Sequence, residues 1–132
     1  MLKIKKDFFE QIVGHSKHEF PNEACGLLAG KDENVAKVYL AINVDKSPES
    51  FLMDTKEQLK ITKEIRNSGL DMIGIYHSHV ASEAYPSEHD LSLAFYSDVS
   101  YVIITLKDKN KPVIRSFKIV EGRITEEEVR IE

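Results

Sequence analysis

A chain of 132 residues, 42% hydrophobic and 30% charged, has the composition of an ordinary globular protein, and its length suits one domain that buries about two-thirds of its unfolded surface without staples. The net charge of -4 gives no support for nucleic-acid binding, no apolar run approaches the roughly 18 residues of a membrane span, and Met1 to Asp7 holds no signal-peptide stretch. The single cysteine, Cys25, rules out an internal disulfide and points to a cytoplasmic, reducing setting.

Leu2 and Ile4 alternate with lysines and predict a short strand. Phe8, Phe9, Ile12, Val13 and Ser16 recur at helical spacing, so residues 7–19 read as an amphipathic helix that Pro21-Asn22 stops. Residues 23–30 suit a strand buried on both faces, and Val35 to Val44 its hairpin partner across a polar turn. A loop around Pro48 leads to a brief strand at Phe51-Leu52-Met53. Asp54 and Glu57 form a capping box for a helix that runs to about Asn67 and ends at Ser68-Gly69. Leu70 to Tyr76 is the central strand. A helix over 87–97 follows, with Leu91, Leu93, Ala94 and Phe95 on its buried face. Tyr101 to Leu106 is an interior strand, and 113–120 and 124–131 are half-exposed strands joined at Glu121-Gly122. The order predicts one α/β domain, a mixed β-sheet flanked by helices.

The central strand runs into His77-Ser78-His79, and Ser87 and Asp90 follow. Residues two apart in a strand share a face, so the imidazoles of His77 and His79 project together while Ser78 points away. Asp90 supplies a third ligand. Two nitrogens and a carboxylate, with a fourth position left to water, form the pattern of a catalytic zinc site; a structural one would draw on four protein ligands, often thiolates. Ser87 and Asp90 lie on one side of a helix's first turn, which brings the Ser87 hydroxyl beside the metal, although S-x-x-D is also a capping signature. A zinc hydrolase needs a carboxylate to carry a proton, and Glu23, at the start of an apolar strand, is the candidate. The residues alone do not single it out among the chain's other acids. Cys25 and Tyr76 read as core, and His15, His18 and His89 receive no role.

His77-Ser78-His79, the spacing to Ser87 and the further two residues to Asp90 resemble the motif of the JAMM (MPN-plus, Mov34) metalloproteases at every fixed position. The family's upstream glutamate falls on Glu23. The stretch 82–87 is similar to the small bacterial branch that releases cysteine from a ubiquitin-like sulfur-carrier protein. The resemblance implies the JAMM/MPN, cytidine deaminase-like architecture and one zinc ion on His77, His79 and Asp90. It also implies Glu23 as general base and then acid, and Ser87 as hydrogen-bond donor to the oxyanion. The implied reaction is hydrolysis after the C-terminal glycine of a ubiquitin-fold carrier, whose tail could add as a strand at a sheet edge. Val80 departs from the Pro or Thr of many relatives, at a position that is no ligand. The chain has no room for the insertions with which eukaryotic deubiquitinases of the family grip polyubiquitin.

Two rivals stand against this reading. One is a scaffold of the same fold without metal ligands, or a deubiquitinase-like isopeptidase in its place. The other is a zinc deaminase, whose H-x-E and P-C-x-x-C signatures are missing here. No feature specifies an oligomeric state.

Overall fold

The structure, a computed structural model, describes residues 1–132. Its elements are β1 (Leu2–Ile4), α1 (Lys6–Glu19), β2 (Cys25–Lys31), β3 (Asn34–Ala41), α2 (Thr55–Asn67), β4 (Asp71–His79), α3 (Glu88–Ser92), β5 (Ser100–Thr105), β6 (Val113–Val120), β7 (Arg123–Glu127) and β8 (Val129–Ile131). All strands join one mixed sheet in the order β7-β6-β5-β4-β2-β3-β1-β8. β4 is antiparallel to β2 and parallel to β5. The expected α/β domain with a mixed sheet and flanking helices is what the chain forms.

Alternation along the inner strands divides the core by face. Leu27, Ile75, Ile103 and Phe117 pack with Ile61 and Ile65 of α2. Leu28, Tyr76, Val102 and Ile104 pack with Ile12 of α1 and with Leu2 and Ile4. Both faces of β2, β4 and β5 are therefore covered, which is why these strands read as continuous apolar runs. Burial of Ile61 and Ile65 contributes at most about 1.5–3 kcal/mol each, and holds α2 on the sheet. The α2 start carries half of the expected capping box: the Asp54 carboxylate accepts the Glu57 N–H at 3.1 Å, but the Glu57 carboxylate does not reach back to Asp54 and instead accepts the Ile42 N–H at 2.8 Å, tying α2 to the end of β3.

The central strand reaches His79, as the shared face of the two histidines requires, with β5 parallel beside it pairing His77 with Ile103 and His79 with Thr105. Elsewhere the structure departs from the expectation at three places. Phe51 to Met53 forms no strand; only Met53 bridges, to Asn43. α3 stops at Ser92 rather than 97, and Phe95, expected on its buried face, is 77% exposed. The Tyr96 N–H donates to the Tyr101 hydroxyl at 2.9 Å, a tertiary bond that competes with a helical ladder. The last predicted strand divides at Glu128: β7 pairs with β6, and β8 pairs with β1 at the other end of the sheet. The sheet curls until its two margins meet, and the Leu2 N–H donates to the Glu128 carbonyl at 2.8 Å.

Candidate metal centre

His77 and His79 project from the C-terminal end of β4 on the α2 face, and both are buried. The loop after β4 folds back and brings α3 over them. Thr105 anchors this loop by donating its hydroxyl to the Ser82 carbonyl at 2.6 Å. Ser87 then caps α3: its Oγ accepts the Asp90 N–H at 3.1 Å, while the Ser87 N–H donates to Asp90 Oδ2 at 2.9 Å. The reciprocal cap fixes the Asp90 carboxylate above the histidines.

Three ligand atoms meet there. His77 Nε2 lies 3.1 Å from His79 Nε2, and Asp90 Oδ2 lies 3.1 Å from the first and 3.0 Å from the second. The predicted trio is thus brought together. With metal–nitrogen distances of about 2.0–2.1 Å, the edge of a ligand tetrahedron is about 3.3 Å, close to this triangle. Protonation argues the same way. His79 Nδ1 lies 2.7 Å from the Glu83 carbonyl, which can only accept, so Nδ1 carries the proton and Nε2 of the neutral ring is a lone pair. That lone pair faces a carboxylate and a second imidazole nitrogen, an arrangement that calls for a cation at its centre. The donor set of two imidazoles and one carboxylate fits a divalent metal.

The electrostatics of the bare triad reflect the crowding. Burial pushes His77 down. His79 is held up, against burial, by its hydrogen bonds to Asp90 and to the Glu83 carbonyl. Burial opposes the Asp90 charge, yet with no cation between them any proton held on the facing imidazole nitrogens turns to Asp90, and the carboxyl lies well below the usual carboxylate range.

Glu23 stands just before β2, and continuing the antiparallel Cys25–His77 pairing by two residues sets it opposite His79. It is 3% exposed, and its Oε1 has no hydrogen-bond partner. Burial raises its carboxyl to about 8, with the Asp90 charge adding to the rise and His79 opposing it. A buried carboxyl with a free oxygen next to a ligand triad can move a proton. Phe51, which no sequence motif marks, stacks on His77 at 4.5 Å between ring centroids and 23° between planes. It reaches the site through a loop with no regular structure, so no periodicity marks it. Phe51, Met53, Leu93, Tyr96 and Ile103 line an apolar groove that opens on His77 and Asp90. His89 is exposed, as its exclusion required. His15 is buried and hydrogen-bonded to the Tyr76 hydroxyl at 2.7 Å, on the opposite face.

The curled mixed sheet presents a His-x-His pair and an aspartate beside a buried carboxyl, an arrangement suited to hydrolysis at a metal. The family model described as prokaryotic homologs of the JAB domain matches residues 5–120, and the chain belongs to that family. It is 36% identical over 133 residues to the CysO-cysteine peptidase of Mycobacterium tuberculosis, covering 99% of this chain and 91% of that one. It is 36% identical over 110 residues to the desampylase of Pyrococcus furiosus, covering 83% and 76%. A solution structure from Desulfitobacterium hafniense superimposes with a TM-score of 0.92 at 42% identity, covering 100% of this chain and 93% of the other. The protein is an enzyme, a hydrolase of the peptidase class. No helix in it is long and apolar enough to cross a membrane.

Proposed function

We propose that this enzyme is a zinc-dependent peptidase that hydrolyses the amide bond after the C-terminal glycine of a ubiquitin-fold or sulfur-carrier protein, releasing cysteine or another amine in the cytoplasm. The observation that carries the reading is the convergence of His77 Nε2, His79 Nε2 and Asp90 Oδ2 next to the unpartnered Oε1 of Glu23. These three residues would hold one zinc ion per chain. Bound there, zinc supplies a Lewis acid for the scissile carbonyl and lowers the pKa of a water to about 7.

The chain's own groups account for the remaining steps. Beside a cation the Glu23 carboxyl returns toward its ionised form, so that it can accept the proton of the attacking water. It then delivers that proton to the leaving nitrogen as the C–N bond breaks, which leaves a carboxylate on the glycine and a free amine. The Ser87 oxygen accepts from Asp90, so its own O–H is free to donate to the carbonyl oxygen as negative charge grows there. A glycine tail brings no side chain into the groove that Phe51 and Asp90 line. The relative named CysO-cysteine peptidase supports cysteine as the leaving group.

The test is incubation of the zinc-loaded enzyme with a ubiquitin-fold protein ending in Gly-Gly, amide-linked to cysteine in one sample and to a lysine side chain in another. Intact mass should show one or both conjugates cleaved, and a chelator should stop it. Both conjugates surviving contact with a stoichiometrically zinc-loaded enzyme would overturn the reading.

A further inference from the structure

The hydrogen-bond ladder of β2 begins at Cys25, so the peptide unit that joins Glu23 to Ala24 lies one step outside the sheet. Both of its polar groups are nevertheless taken, and both by side chains. The Glu23 carbonyl accepts from Asn43 Nδ2 at 3.0 Å. The Ala24 N–H donates to Ser78 Oγ at 2.7 Å. Backbone bonds complete the enclosure: the Glu23 N–H donates to the Ser47 carbonyl at 2.9 Å, and the Ser78 N–H to the Ala24 carbonyl at 3.0 Å.

The two clamping side chains are buried, and the Asn43 amide is fully committed. Asn43 donates a second bond to the Ser50 carbonyl, and its Oδ1 accepts from the Asp45 and Leu52 N–H groups. It therefore rivets the 43–52 loop, which also carries Phe51, onto the residue that bears the buried carboxyl. Ser78 sits between the two histidines, and its hydroxyl crosses from β4 to the chain just before β2. One hydroxyl thus ties the strand of the metal ligands to Glu23.

A group that moves a proton must be held to within a fraction of an ångström, and no hydrogen bond holds Glu23 Oε1. Its aim comes from the backbone. We infer that Asn43 and Ser78 are positioning residues that clamp the Glu23–Ala24 peptide and so direct the Glu23 carboxyl at the triad. The inference rests on Glu23 being the base.

Ser78→Ala removes one oxygen. Asn43→Asp keeps the acceptor for Asp45 and Leu52 but sets an anionic oxygen against the Glu23 carbonyl. Each is assayed alone and combined with Glu23→Gln on the Gly-Gly–cysteine conjugate, and Zn2+ affinity is read by competition with a chromophoric chelator. Each single variant should lose kcat by about 10–100-fold, with KM and Zn2+ affinity within about threefold of the parent, because misplacement and not binding is what changes. In the Glu23→Gln background neither should slow the enzyme further. Unchanged kcat, losses that multiply with that of Glu23→Gln, or losses that track weakened Zn2+ binding would each overturn the clamp. If Asn43→Asp does not fold, Ser78→Ala carries the test. Full turnover by Glu23→Gln alone is a different result: it removes the base assignment underneath.

Discussion

Ser87 and Asp90 cap one another, and the oxygen that closes this cap, Asp90 Oδ2, is the one that lies 3.0 and 3.1 Å from the two imidazoles. The cap and the proposed metal ligation draw on one arrangement here. The backbone N–H of Ser87 orients the carboxylate, and the Ser87 hydroxyl, anchored through its oxygen, keeps its proton for another acceptor.

Ser87→Ala separates the two tasks. Loss of the cap should lower stability by about 1 kcal/mol, read as a small fall in Tm. Loss of the donor should lower kcat by about 10²–10³-fold with zinc still bound. Ser87→Gly, which caps nearly as well but donates nothing, should recover most of the Tm and none of the kcat. Parallel recovery of both would show that the hydroxyl only caps.

Glu23→Gln keeps the shape of the side chain and removes its basicity. Turnover should fall by about 10²–10⁴-fold while zinc stoichiometry by elemental analysis stays at one. His77→Ala should lose both metal and turnover, because the two remaining ligands no longer make a site. Normal kcat in Glu23→Gln would assign the proton transfer to another group.

Gly26 has a packing reason that can be measured. A Cβ there would lie 2.3 Å from the Tyr39 carbonyl oxygen and 2.3 Å from the Tyr76 ring. Tyr76 precedes the first ligand on β4, so it cannot swing aside without dragging the strand. Gly26→Ala should destabilise the fold by about 1–3 kcal/mol or more in urea titrations. An unshifted urea midpoint would mean that both the Tyr76 ring and the Tyr39 backbone have room to move.

His15 should set part of the acid sensitivity of the fold. Burial holds its imidazole below the ordinary value, with Glu19 only partly opposing, so the unfolded chain takes up the proton first as pH falls. Its contribution is full above about pH 6.5 and is lost as pH falls from there through the lower folded value. His15→Gln retains a polar partner for Tyr76 and does not titrate. Between about pH 7.5 and 5.5 the urea midpoint of the parent should fall further than that of His15→Gln. Equal falls in both would place the sensitivity elsewhere.

The candidate centre was legible because its residues obey local rules. His77 and His79 are two apart on a strand, Ser87 and Asp90 three apart at a helix start, and both spacings dictate a shared side whatever the rest of the chain does. The Asp54 cap on the Glu57 N–H and the two-faced apolar strands were legible for the same reason, whereas the Glu57 side chain, which closes no box, goes to Ile42 just past β3. What escaped depends on distant partners. The Tyr101 hydroxyl takes the Tyr96 N–H out of the helix that Leu91 to Phe95 suggested. Phe51 meets His77 only through the loop that Asn43 holds. The division of the last strand at Glu128 follows from the curvature of the whole sheet, which no window of sequence contains.

That division matters for how the protein is made. Residues 123–131 border β6 and β1 at once, so on the ribosome the earlier strands wait with two bare flanks until this segment emerges. A premature stop near Val120 would therefore leave a sheet that can recruit strangers from either side, and such a product should be insoluble rather than merely less stable.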